Sequence, residues 1–360
     1  MMKPVIRFIK QRPIMLLMLA IPFVLAAELF AWDPIWKLIF TALSIVPMAG
    51  LIGEATEGLA EKAGPQIGGL INATLGNAAE LIITLIAIRS GLLDLVKASI
   101  TGSILGNILL VLGFAMVVGG AKNGVQKFDR RQAGNHAVLL IIAVLALLIP
   151  SIFSHNIGSD NSPQVETLSL GVAVIMMILY GLGLFFSFTS HEPAVSVPVE
   201  PEKHPSNRWP LKKSLIVLAV STLSVVILSE ILVDAVEPVV QTYGISEFFI
   251  GIILIPIIGN AAEHIVAVQV AYRNKMELSV EVAISSSLQI ALFVAPLLVF
   301  VSLAMGHPLT LIFNIFELIA LASGVVITTL VSTDGESNWF EGAALISVYL
   351  ILGTAFFFLH

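Results

Sequence analysis

The pentapeptide Gly-Asn-Ala-Ala-Glu stands twice in this chain, at residues 76–80 and 259–263, each time inside a long apolar run. Each copy places a carboxylate where an ionised group is expensive. A charge at the centre of a membrane helix costs about 2.5–3.5 kcal/mol even on insertion scales. Two such charges in matching contexts imply a shared purpose. The reading they support is that Glu80 and Glu263 meet near the middle of a membrane and hold a divalent cation.

Composition makes the membrane unavoidable. The chain is 57% apolar and 12% charged, against about 25% charged in soluble domains. A bilayer span takes about 20 apolar residues, and eleven stretches qualify: 14–31, 35–53, 67–88, 95–118, 136–153, 168–189, 214–234, 246–272, 279–304, 309–331 and 339–359. At that depth lipid leaves backbone groups unsatisfied outside helices, so an all-α membrane protein follows. The basic start (Lys3, Arg7, Lys10, Arg12) before an apolar run imitates a signal peptide. The run continues to Ala31, which favours a retained first span. With the N-terminus in the cytoplasm, fifteen Lys and Arg lie inside and only Lys37, Arg89 and Lys97 outside. That asymmetry sets the orientation and leaves His360 outside.

The stretch 191–213 carries Pro193, Pro198, Pro201, Pro205 and Pro210 and reads as a cytoplasmic linker. It divides the chain into an N-terminal segment with the first span (1–34), a five-helix repeat (35–190), the linker, and a second five-helix repeat (214–360). The repeats are related by an offset of 183 residues, which maps Asn77 onto Asn260, Glu80 onto Glu263, Gly68 onto Gly251, Ser103 onto Ser286 and Leu105 onto Leu288. Five spans are an odd number, so the second repeat enters the membrane from the opposite side. Transporters built from such inverted repeats bind their ions at the repeat interface near the midplane.

Around the two glutamates the sequence gathers oxygen donors. Asn77 and Glu80 share a helix face, as do Asn260 and Glu263. Gly76, Gly259 and Pro256 weaken the helix there and can free backbone carbonyls as ligands. The following spans add Ser103, Ser286 and Gln289. Carboxylate, amide, hydroxyl and carbonyl oxygens suit Ca²⁺. The chain has no cysteine and His264 is the only nearby imidazole, so zinc is poorly served. His264 reads as a gating residue or one that supports the ligands. Asn107 has no repeat counterpart, since Ile290 occupies its position, and reads as structural. Glu54 and Glu57 sit at the end of the second apolar run, and Glu230, Asp234 and Glu237 at the end of the seventh. A carboxylate at a helix C-terminus opposes the macrodipole, so cation capture or gating is weighed against ordinary solvated helix ends. Glu317, inside the tenth run, reads equally as a structural hydrogen-bonding group or a proton relay.

The segments 68–81, 251–264, 102–107 and 286–293, with Gly53-Glu54-Ala55-Thr56-Glu57, resemble the motifs of the Ca²⁺/H⁺ antiporters of the CAX type, within the calcium/cation antiporter superfamily. The resemblance spans nearly the whole chain. It implies eleven spans with kinked motif helices, Glu80 and Glu263 as shared Ca²⁺ and H⁺ binders, and Asn77, Asn260, Ser103, Ser286 and Gln289 assisting. Related sodium-coupled exchangers carry a proline before each motif acid; Ala79 and Ala262 stand there in this chain, which favours protons. Some eukaryotic members carry an acidic helix in the linker, whereas this linker mixes Glu192, Glu200 and Glu202 with Lys203, Arg208, Lys212 and Lys213.

Two carboxylates that approach in a low dielectric cannot both ionise cheaply, so protons compete with Ca²⁺ for the same oxygens. The expectation is an exchanger of cytoplasmic Ca²⁺ for external H⁺ in a prokaryotic plasma membrane. Ca²⁺ is its substrate, and no cofactor, enzymatic reaction or nucleic-acid partner is expected. A homo-oligomer is compatible with the sequence. The rivals are a sodium-coupled calcium exchanger, a passive cation channel, and an intramembrane enzyme, for which no nucleophile or paired Asp is present.

Overall fold

The computed structural model describes residues 13–159, 162–190 and 209–359. Lys3, Arg7, Lys10 and Arg12, the linker prolines from Pro193 to Pro205, and His360 lie outside those residues. A 3-10 turn (Pro13–Ala20) leads into α1 (Ile21–Leu29). Then follow α2 (Pro34–Ala63), α3 (Pro65–Leu75), α4 (Ala78–Arg89), α5 (Leu93–Asn123), α6 (Arg130–Ile157), α7 (Pro163–Ser190) and α8 (Leu211–Tyr243). The chain ends with α9 (Glu247–Gly259), α10 (Ala261–Tyr272), α11 (Met276–Ala304), α12 (Ile315–Val331) and α13 (Trp339–Phe357). Among the described residues, seven helices are long and apolar enough to cross a bilayer, and the bent pair α9–α10 makes an eighth. The protein is a helical integral membrane protein.

Helices α5 and α11 form the centre. In their apolar windows 72% and 67% of residues are buried, against 28% in α7 and 22% in α13. The outer helices turn Leu145, Ile152, Phe185, Leu223 and Ile351 outward, which suits a lipid surface. Both central helices contain a π-helical stretch, Gly106–Val111 in α5 and Ile290–Val294 in α11. Such stretches widen the helix and are found mostly at functional sites.

Close crossings hold the bundle. A Cβ on Gly102 of α5 would press into the backbone of Ile252 in α9, and one on Gly251 would meet the Ala98 Cβ at 2.5 Å. Small residues let membrane helices approach backbone to backbone, where dispersion replaces the missing hydrophobic drive. At one end of the bundle the two-residue strands β1 (Gln126–Lys127) and β2 (Glu336–Ser337) pair antiparallel, and Lys127 meets Glu336 at 3.1 Å.

Two features depart from the sequence expectation. Helices α2 and α8 run beyond their apolar stretches, to Ala63 and Tyr243. Glu54, Glu57, Glu230, Asp234 and Glu237 therefore lie within helices rather than at their ends. An apolar count stops at the first charges, whereas a helix continues into the polar zone. The tenth run begins as a non-helical segment, because α12 starts only at Ile315. Pro308 cannot donate a backbone hydrogen bond, and the buried N–H groups of Leu309, Leu311 and Phe313 donate instead to the hydroxyls of Ser302, Ser169 and Ser151. Irregular backbone survives at membrane depth only when protein satisfies it in this way. Glu317 is placed as a hydrogen-bonding group: its Oε2 accepts the Asn314 N–H at 2.8 Å in a capping box, and its Oε1 accepts the Thr101 hydroxyl at 3.2 Å.

Gly102→Val should destabilise the fold by about 1–3 kcal/mol or more, because the obstructing atoms are backbone and cannot rotate away. Gly171→Val, where a Cβ meets nothing within 4 Å, serves as the control. Melting followed by gel filtration in detergent checks both; equal melting of the two variants would remove the crossing as a stabilising contact.

Candidate cation site

Helices α4 and α10 each start immediately after a break. Asn77 and Asn260 are their N-caps, with non-helical backbone (φ −94°, ψ 21° and φ −106°, ψ 10°), so Glu80 and Glu263 fall in the first turns. The α9–α10 pair bends by 65° at this point. The positive end of each helix dipole favours a carboxylate in that turn. Neither asparagine side chain makes a capping hydrogen bond to its own helix. Asn77 Nδ2 donates to Gln289 Oε1 at 3.0 Å. Asn260 Nδ2 lies 3.3 Å from both Glu80 Oε2 and Ser103 Oγ.

The glutamates are held alike. Ser103 donates its hydroxyl to Glu80 Oε1, and Ser286 donates to Glu263 Oε2 at 2.7 Å, each serine 23 residues after its glutamate. The motif glycines complete the crossing. A Cβ on Gly259 would stand 3.3 Å from the Cβ of Glu80, and one on Gly76 would stand 3.4 Å from Glu263 Oε1. Each break leaves room for the other motif's acid. The glycines thus make room for side chains, whereas the sequence reading had them free backbone carbonyls as ligands.

Two acceptors at the site have no partner. Asn77 Oδ1 and Asn260 Oδ1 are buried without a hydrogen bond, although both residues are only 2% exposed. An unsatisfied buried acceptor costs about 1–3 kcal/mol. A cation held between them and the two carboxylates would satisfy both. Among the described residues, no three His, Asp or Glu side chains gather as a metal cluster, so any ion here relies on two carboxylates and neutral oxygens. Glu80 is fully buried, while Glu263 is half-buried.

The structure thus brings together Glu80, Glu263, Asn77, Asn260, Ser103, Ser286, Gln289, Gly76 and Gly259. It adds Asn107, which the sequence reading set aside. Asn107 Nδ2 donates to Ser286 Oγ at 3.1 Å, and its Oδ1 lies 3.2 Å from His264 Nε2. The available signal was its position one turn beyond Ser103. The outlying carboxylates are placed differently. Glu230 pairs with Arg89 at 2.7 Å, Glu237 accepts a hydrogen bond from Gln241 at 3.0 Å, and Asp234 and Glu57 are exposed, with Glu54 half-buried.

The family described as sodium/calcium exchanger protein matches residues 34–189 and again 213–358. The chain is 45% identical over 358 residues to the Ca(2+)/H(+) antiporter of Aphanothece halophytica, covering 95% of each chain. It is 42% identical over 344 residues to the Ca(2+)/H(+) antiporter ChaA of Bacillus subtilis, covering 94% of this chain and 97% of that one. Its fold is similar to native YfkE, with a TM-score of 0.84 at 39% identity over 96% of this chain and 100% of that one. The H+/Ca2+ exchanger CAX shares the fold, with a TM-score of 0.72 at 16% identity over 96% of this chain and 92% of that one. With both halves matched and relatives this similar over nearly their whole length, the chain belongs to the sodium/calcium exchanger protein family.

Proposed function

We propose that the protein is a secondary active transporter that exchanges cytoplasmic Ca²⁺ for external H⁺ at the site between Glu80 and Glu263. The observation that carries this reading is the pair of orphaned amide oxygens, Asn77 Oδ1 and Asn260 Oδ1, beside two carboxylates in the same apolar interior. Hard neutral and anionic oxygens in a flexible shell are what Ca²⁺ takes. The curated relatives, named Ca(2+)/H(+) antiporters, support the same ion pair. Both glutamates serve as Ca²⁺ ligands and as proton carriers. Charge balance at the site favours about two protons for one Ca²⁺, since two buried carboxylates together oppose one divalent charge.

The architecture we assign is eleven spans, with one N-terminal helix before two inverted five-helix repeats, the N-terminus in the cytoplasm and the C-terminus outside. Its support is local structure that recurs at the 183-residue offset. The breaks at Asn77 and Asn260 share backbone angles, and the π-helical stretches of α5 and α11 fall on equivalent positions. Alternating access then comes from α2 and α8, which pack against each other and carry Glu54, Glu57, Glu230, Asp234 and Glu237. The Arg89–Glu230 pair links the end of α4 to α8, and Lys62 at the far end of α2 donates to the Trp209 carbonyl at 2.7 Å. The first contact would be remade as the pair moves, whereas the second lies within the pair and travels with it. His264, joined to the site through Asn107, acts as a neighbouring support to the ligands. The membrane is a prokaryotic plasma membrane.

Glu80→Gln and Glu263→Gln should each abolish exchange while the protein folds, since removing one charge from this site spares the packing. Uptake of radiolabelled Ca²⁺ into proteoliposomes under an imposed proton gradient measures it, and near wild-type exchange by either variant would sink the shared site.

Asn77→Ala and Asn260→Ala should weaken apparent Ca²⁺ affinity yet leave residual exchange, because water can partly replace one neutral oxygen. Unchanged affinity in both would reduce the asparagines to packing residues.

Adding Ca²⁺ to purified protein in weak buffer should release protons, and lowering the pH should weaken Ca²⁺ binding, since the cation and the proton use the same carboxylate oxygens. No release between about pH 6 and 8, with displacement of Ca²⁺ by sodium, would establish sodium coupling instead.

A further inference from the structure

Under the 183-residue offset Gln289 falls opposite Gly106 and Asn107 opposite Ile290, so neither has a polar counterpart. The two halves of the site differ there, and their hydrogen bonds differ with them. In the first half one asparagine does two jobs. Asn260 Nδ2 reaches Ser103 Oγ and Glu80 Oε2, at 3.3 Å each, so it steadies the serine and holds the acid. Its repeat mate Asn77 makes neither contact. Ser286 accepts instead from Asn107 Nδ2 at 3.1 Å, and its own proton goes to Glu263 Oε2. Asn77 Nδ2 donates to Gln289 Oε1 at 3.0 Å. An amide carries an oxygen acceptor on one side and an N–H₂ donor on the other. The partner that takes the N–H₂ therefore decides where the oxygen faces. Asn77 Oδ1 is buried without a hydrogen bond, while its nitrogen is held by a glutamine only 6% exposed.

We infer that Gln289 is a positioning residue: it takes the N–H₂ of Asn77 so that Asn77 Oδ1, and not a repelling N–H, meets the cation. This rests on the reading of Asn77 as a Ca²⁺ ligand. The sequence reading counted Gln289 among the residues that assist the ligands, and its assistance runs through Asn77. The two halves thus aim the same kind of oxygen with different anchors. Asn260 is anchored on Glu80, which itself binds the cation. Asn77 is anchored on a neutral amide, which keeps its hydrogen bond whatever the carboxylates hold. One amide oxygen therefore stays aimed at the site throughout exchange, while the other depends on how Glu80 is engaged. Side chains that orient a metal ligand in this way change metal affinity by about 10–100-fold when they are removed.

The test is a double-mutant cycle on Ca²⁺ affinity, read by titration calorimetry on the purified full chain in detergent, so it needs no transport. Gln289→Met keeps the length of the side chain and removes the acceptor. It is expected to weaken Ca²⁺ binding by about tenfold when Asn77 is present. Beside Asn77→Ala it is expected to cost less than about twofold, because a residue that acts through Asn77 has nothing left to act on. With Gln289→Glu, which keeps an oxygen for Asn77 Nδ2, the cost of Asn77→Ala is expected to return to its value in the unsubstituted chain. The added charge is common to both arms of that comparison and cancels. Should Gln289→Met elute as misfolded protein, Gln289→Ala, which removes the acceptor without misplacing bulk, replaces it. Equal loss from the Gln289 substitution with and without Asn77, or no loss in either background, overturns the proposal. Asn77→Ala alone tests the ligand reading and only the coupling tests Gln289, so the two failures are told apart.

Discussion

Two helices broken at one depth set the terms for this structure. A helix that stops inside an apolar layer exposes N–H and carbonyl groups that lipid cannot satisfy. Here each break is covered by the other. Gly259 passes against Glu80 and Gly76 against Glu263, and the side chain of Asn260 reaches across to Glu80 and Ser103. The breaks place two positive helix ends at the same crossing, and the first-turn carboxylates answer them. Remove either break and both the space for the opposite acid and the dipole end behind the helix's own acid are lost.

The central helices make the crossing possible. Helices α5 and α11 supply Ser103, Asn107, Ser286 and Gln289 from the interior of the bundle, and both loosen into π-helical turns just beyond the serines. Asn107, within that turn of α5, reaches Ser286 of α11. The crossing at Gly102 and Gly251 brings α5 and α9 together, and Asn260 at the end of α9 reaches Ser103 of α5.

Much of this was legible in the sequence because the chain states it twice. The 183-residue offset picks out Asn77, Glu80 and Ser103 with their partners, and those six residues do gather. What the repeat could not reveal is where the two halves differ. Asn107 pairs with Ile290 under the offset, so a comparison of halves discards it, although its amide joins Ser286 to His264. Helix ends were misjudged for a different reason. Apolar runs mark the extent of lipid, whereas α2 and α8 are held beyond it by contact with each other. The non-helical residues before Ile315 are equally apolar in sequence, and only the three serines on neighbouring helices show how their N–H groups are satisfied.

The unequal burial of the two glutamates makes the site a queue rather than a symmetrical clamp. In the exchange proposed above, half-buried Glu263 is the carboxylate an ion meets first, and Glu80, at 0% exposure, the one it reaches last. Glu80 also shares both its oxygens with Ser103 and Asn260, so its contacts must be surrendered before the ion is fully enclosed. Arrival and enclosure are then separate events, with a half-engaged ion between them.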